Sequence, residues 1–181
     1  MNEQLMGGII TGNEIIRRVM YGQIAISNFD PANVNPNSYN LTLDNHLKLY
    51  KEEILDSREE NKTIDLEINE DGIMLKPGRI YIGSTVESTF QTDDLVPMLS
   101  GRSSYARLGI DIHKTAGFGD VGFHGTWTLE IAVTQPVIIY PNTKICQIYF
   151  MPVCGVAGPI YEGKYIGQKG ATPSMAFKDE F

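Results

Sequence analysis

Eight consecutive residues, Gly101-Arg102-Ser103-Ser104-Tyr105-Ala106-Arg107-Leu108, put two guanidinium groups and two hydroxyls into one short turn. Guanidinium forks and hydroxyls match phosphate oxygens in charge and geometry, which is the chemistry of a polyphosphate cradle. The glycine at its start permits close backbone approach. The plainer alternative is a surface helical turn capped by Ser103 or Ser104, but arginines flanking both hydroxyls favour phosphate. No Gly-Lys-Ser/Thr follows, so this is not a Walker-type loop. Further on, Thr126-Trp127-Thr128-Leu129-Glu130-Ile131 sets one carboxylate inside an apolar run, where desolvation can tune it as an acid or base. On a strand, Trp127, Leu129, Ile131 and Val133 would face the core, and Thr126, Thr128 and Glu130 the other side. A structural glutamate in a salt bridge is the plain alternative. Asp120, in the loop Gly119-Asp120-Val121-Gly122-Phe123, supplies a second carboxylate, and the pair beside an arginine cradle looks like acid/base equipment. The combination points to an enzyme acting on a nucleotide.

Metals can be judged from ligand spacing. Zinc-dependent base deaminases need a His-x-Glu and a Pro-Cys-x-x-Cys. The chain offers His46, His113 and His124 without that spacing, and His113 reads as ordering a loop. Structural zinc is excluded on the same grounds. Magnesium is expected only as a partner of substrate phosphates, where few protein ligands are needed.

The elements that must hold these groups can be read from pattern. At 181 residues the chain is long enough for one domain with its own core, and 42% hydrophobic with 20% charged residues is ordinary for a soluble protein. No apolar run is long enough to span a membrane, and Met1-Asn2-Glu3-Gln4 lacks a signal-peptide pattern. Cys146 and Cys154 read as packed thiols of a reduced, cytoplasmic protein. A net charge of −7 argues against a general nucleic-acid binder, though arginines focused in a cleft can still attract an anion.

One helix is clear: Thr11 and Glu14 form a capping box, Ile10 and Ile15 can staple across it, and Gly22 stops it. Ile15, Ile16, Val19 and Met20 give it an apolar face. After Gly22 the period becomes two. Strand-like runs fall at residues 23–26, 38–43, 46–50, 63–68, 73–75, 79–86, 126–133, 136–140 and 144–150, separated by Gly, Pro, Asn and Asp turns. Many short strands at that spacing predict a mainly β sandwich or barrel. Residues 155–181 lack a period. They read either as a mobile arm or, given Tyr161, Lys164, Tyr165 and Gln168, as a lid over a charged ligand.

With these residues in view, the chain resembles the deoxycytidine triphosphate (dCTP) deaminase family of the trimeric deoxyuridine triphosphatase (dUTPase) superfamily. The resemblance spans nearly the whole chain. It rests on Phe29-Asp30-Pro31, Asn35 to Leu41, Gly101 to Gly109, His113 to Asp120, Gly125 to Glu130, and the tail segments Gly163 to Gln168 and Gly170 to Ser174. It implies a distorted β-sandwich or jelly-roll (dUTPase-like) subunit with a short N-terminal helix and a C-terminal lid. It also implies a homotrimer with nucleotide sites between subunits.

As implied by the resemblance, Glu130 is the catalytic acid/base for water attack on cytosine C4, with Ser103 and Arg107 positioning the water and holding Glu130 ionised. Arg102 and Ser104 would contact phosphates, and Tyr105 and Ala106 complete the substrate-binding segment. Asp120 would hold the deoxyribose 3′-hydroxyl, backbone at Thr128 and Leu129 would read the base, and Gln147 would add a polar contact. Tyr161, Lys164 and Gln168 would close over the triphosphate with magnesium. Thr115-Ala116-Gly117-Phe118 resembles bifunctional members, which carry dCTP on to dUMP and pyrophosphate. In those, a carboxylate at Asp120 also helps activate water at the α-phosphorus. Feedback by dTTP is a further family expectation. A deaminase-only enzyme and a plain dUTP diphosphatase are the alternatives, and a nucleotide-binding regulator is the third class.

Overall fold

Thr11 starts helix α1 (Gly12–Met20) by accepting the Glu14 N–H on its side chain at 3.3 Å. The return half of the capping box is not made, because the Glu14 carboxylate takes Arg17 and Arg18 instead. Gly22, at φ +68°, ends the helix in the left-handed region that suits glycine. Ile10 and Ile15 both enter the core, but Met20 is 79% exposed. Met20 lies five residues beyond Ile15 and so on the far side of the helix, whereas Arg18, three beyond, shares the buried face. Arg18 is buried against Glu14 and Asp94. This computed structural model describes residues 8–156 and 158–180, and the reading of Met1 to Gln4 lies outside them.

The strands among the described residues are β1 (Ile24–Ile26), β2 (Val34–Asn35), β3 (Ser38–Thr42), β4 (His46–Tyr50), β5 (Thr63–Glu67), β6 (Ile73–Leu75), β7 (Tyr81–Gln91), β8 (Leu95–Gly101), β9 (Ile110–Asp111), β10 (Gly125–Val133), β11 (Val137–Ile139) and β12 (Lys144–Pro152). One sheet runs β5-β4-β7-β10-β9 with β1 also on β7, and a second runs β2-β3-β12-β8. Strands β6 and β11 form a small ribbon. All pairings are antiparallel. The chain is therefore the expected mainly β, distorted sandwich with one short N-terminal helix. Its core takes Leu47, Leu129 and Ile131 from one sheet and Tyr39, Leu41, Ile148 and Phe150 from the other.

Strand β8 is absent from the sequence reading, because Pro97 sits in its middle. Proline is tolerated there because β8 is the edge of its sheet. The loop before β10 covers that edge: Leu99 N–H donates to Gly117 O and Gly119 N–H to Pro97 O. The fit is tight. A Cβ on Gly119 would lie 2.4 Å from the Trp127 ring and 3.0 Å from Pro97 O.

A buried carboxylate ties the two sheets together. Glu87 of β7 accepts from Thr42 N–H at 2.8 Å and from Thr42 Oγ1 at 2.7 Å, beside the register shift between Lys144 and Cys146. Burial, with Glu87 nearby, pushes the Cys146 thiol far up, so it is an inert core group.

The tail folds back along the first sheet. Tyr161 N–H donates to Val121 O, Gly167 N–H to His124 O, and Thr126 N–H to Gln168 O. Two phenol oxygens fasten its end: Tyr50 accepts from Ser174 N–H and Tyr165 from Met175 N–H, both at 2.9 Å.

Candidate active site

Strand β10 shows the alternation expected from its sequence. Trp127, Leu129 and Ile131 are buried, and Thr126, Thr128 and Glu130 look away from the core, each half-buried. On one edge β10 pairs with β7. On the other, β9 reaches only Ala132 and Val133, and the tail takes Thr126. Among the described residues no strand pairs with that edge from Trp127 to Ile131. The three outward polar side chains have different partners. Thr126 Oγ1 donates to Gln168 O at 3.3 Å, and the Glu130 carboxylate accepts the Lys114 N–H at 3.1 Å. Thr128 Oγ1 is buried with no partner.

A cavity of about 470 Å³ opens over this face, a volume suited to a small organic ligand. Strand β10 lends Trp127, Thr128 and Glu130 to its wall. The preceding loop lends Phe118, Gly119, Asp120 and Phe123, and Ile80 and Ile82 add an apolar side. The tail closes it with Tyr161, Tyr165, Gln168 and residues 172–174. Phe123 packs between Trp127 and Tyr161, at ring separations of 4.7 and 6.1 Å, which couples the tail to the wall. Asp120 stands exposed at this cavity, its side chain making no hydrogen bond or ion pair among the described residues.

The structure thus brings together Glu130, Asp120, Thr128, Tyr161 and Gln168, and it leaves several expected residues elsewhere. Ser103, Ser104, Tyr105 and Ala106 form the one-turn helix α2 (Ser103–Ala106), begun by Arg102 without a side-chain cap. Arg102 donates to Lys144 O at 2.6 Å. Ser103, Ser104 and Arg107 are exposed, and the Arg107 guanidinium has no partner among the described residues. None of residues 102–107 lines the cavity. A Cβ on Gly101 would meet only Ile112, at 3.8 Å, so packing inside the chain does not demand that glycine.

Gln147 is committed internally. Its Oε1 accepts from Ser38 and its Nε2 donates to Gly101 O at 3.0 Å, which braces the start of α2. Lys164 pairs with Asp179 rather than facing the cavity. Tyr50, Ile80 and Ile82 line the cavity without having been singled out by their chemistry, and Tyr165, named among the lid residues, lines it too.

Comparison with known proteins places the chain in a class. A family model described as dCTP deaminase-like matches residues 9–153, and the chain belongs to that family. More particularly, it is 49% identical over 171 residues to the "dCTP deaminase, dUMP-forming" of Clostridium beijerinckii, covering 94% of this chain and 98% of that protein. It is 51% identical over 172 residues to the protein of the same name from Clostridium botulinum strain Eklund 17B, with the same coverage. A crystal structure of 2'-deoxycytidine 5'-triphosphate deaminase from Agrobacterium tumefaciens shares the fold, with a TM-score of 0.64 at 20% identity over 81% of this chain and 49% of that one.

Proposed function

We propose that this chain is an enzyme that deaminates dCTP at cytosine C4 without zinc and carries the resulting dUTP on to dUMP and pyrophosphate. It would thereby supply dUMP for thymidylate synthesis. The observation that carries this reading is Glu130: a carboxylate held by a backbone N–H, facing an apolar-walled cavity beside a free strand edge. The names of relatives at about half identity support it.

The chemistry follows from that placement. The base lies along the free edge of β10, where backbone groups of Thr128 and Leu129 can pair with it. Glu130 takes a proton from water as its oxygen bonds to C4, and delivers a proton to the ring nitrogen. The tetrahedral carbon then expels ammonia. Of the two water protons, one ends on N3 of uracil and the other leaves with ammonia. In the second reaction water adds to the α-phosphorus, its proton passing to Asp120, and the bond to the bridging oxygen breaks to free pyrophosphate. Asp120 also suits the deoxyribose 3′-hydroxyl. A magnesium ion would be held by the substrate triphosphate, where it would offset phosphate charge with few protein ligands needed.

Exposed Ser103, Ser104 and Arg107 support a homotrimer in which the cradle of one subunit completes the cavity of another. There Arg102 and Ser104 bind phosphates, while Ser103 and Arg107 orient the water and keep Glu130 ionised. Tyr161, Lys164 and Gln168 belong to a lid formed by residues 155–181 of a single domain, and Lys164 must leave Asp179 to reach phosphate. Inhibition by dTTP fits the same site. A cytoplasmic setting suits the substrate and the free thiols Cys146 and Cys154.

The test is a product analysis with dCTP and magnesium. Equal ammonia and pyrophosphate with dUMP is the expected result. Ammonia with accumulating dUTP would reduce the enzyme to a deaminase, and no ammonia would overturn the reading.

A further inference from the structure

We infer that the Thr128 hydroxyl is a substrate-contacting group that recognises the 4-position of the base in both of its forms, the amino group of cytosine and the oxo group of uracil. This rests on the two-step function proposed above and adds a side chain to it.

The first observation is a contrast along one strand face. Of the three outward polar side chains of β10, Thr126 Oγ1 has the Gln168 carbonyl and Glu130 has the Lys114 N–H. Thr128 lies between them, lines the same cavity, and its Oγ1 is buried with no hydrogen-bond partner. A buried hydroxyl without a partner is a standing cost that valine, of the same shape and better suited to a strand, would not carry. The second observation is position. Residues two apart on a strand face the same way, with about 6.6 Å between their side-chain roots. A base whose C4 receives water from Glu130 therefore presents its 4-substituent within reach of Thr128.

The chemistry explains why a hydroxyl suits this place. Deamination inverts the polarity of that edge: the 4-amino group donates, and the 4-oxo group accepts. A backbone N–H or C=O can satisfy only one of the two. A hydroxyl both donates and accepts, and needs only a rotation to switch. One site that must hold dCTP and then its own product dUTP needs such a group.

The experiment compares Thr128→Val and Thr128→Ser in the full-length enzyme. It assays ammonia release from dCTP, pyrophosphate release from added dUTP, and thermal stability without nucleotide. Thr128→Val is expected to lower kcat/KM for both substrates about tenfold, the worth of one neutral hydrogen bond, without lowering the melting temperature. Thr128→Ser is expected to restore both to within about threefold. Loss of one activity alone would overturn the dual role, as would unchanged kinetics in Thr128→Val. A melting temperature lowered along with both activities would make the hydroxyl structural and also overturn it. Wild-type enzyme that releases no ammonia would instead sink the underlying function.

Discussion

Strand alternation keeps Glu130 out of the core while its neighbours Leu129 and Ile131 anchor the strand within it, and the proton transfer proposed for Glu130 depends on that placement. Replacing it with glutamine preserves shape and the Lys114 contact but removes the base. Glu130→Gln should lower ammonia release by about 10³, the usual worth of a general acid/base, as measured with a coupled ammonia assay. Asp120 is separable from it. Asp120→Asn should cut pyrophosphate release by about 10² while ammonia release falls far less, so that dUTP builds up on chromatography. An equal fall in both would mean that Asp120 only holds the sugar. These two carboxylates were legible in the sequence because strand periodicity and a glycine-flanked loop are local signals. Tyr50 was not: it joins the cavity because the tail returns to it, with Ser174 donating to its hydroxyl from 124 residues away. No local pattern encodes that closure.

The elements were legible wherever their side chains alternate, and illegible where a neighbour decides. Strand β8 survives Pro97 because it is an edge, and its far side is covered by Gly117 and Gly119 rather than by another strand. In helix α1 the Thr11 cap and the burial of Ile15 were legible, but the Glu14 half of the capping box is not made and Arg18 rather than Met20 joins the buried face. An arginine can take that place only because Glu14 and Asp94 meet it. Hydrogen bonds from Arg17 and Arg18 hold the Glu14 carboxyl below the usual range. Burial pushes the Asp94 carboxyl up, but hydrogen bonds from Thr92 and Arg18 outweigh it, so it too lies low. Carboxyls with lowered folded-state values add stability that is complete above the ordinary carboxylate range and is lost as pH falls through the folded-state values. Asp94→Asn should therefore cost about 1 kcal/mol at neutral pH, a modest figure because Asp94 is half-exposed and screened. In urea unfolding followed against pH, the gap to wild type should narrow as pH falls below the ordinary carboxylate range.

At the scale of the whole molecule, the cavity holds the proposed base, Glu130, but not the residues proposed as its phosphate cradle. Among the described residues Arg107 meets no carboxylate, and residues 102–107 lie outside the cavity. The homotrimer proposed above would bring a neighbouring subunit's residues 102–107 to that cavity. If each site takes Glu130 from one subunit and Arg107 from the next, two different defects can be complementary. Glu130→Gln and Arg107→Ala variants should each be nearly inactive alone. In co-expressed, randomly mixed trimers, each site has one chance in two of an intact Glu130 and one in two of an intact Arg107. Since these come from different chains, about a quarter of wild-type ammonia release should return. Were both groups drawn from the same chain, every site would carry one defect or the other, and mixing would restore nothing. The specific activity of the mixed trimers therefore reads directly whether the cradle belongs to the neighbour.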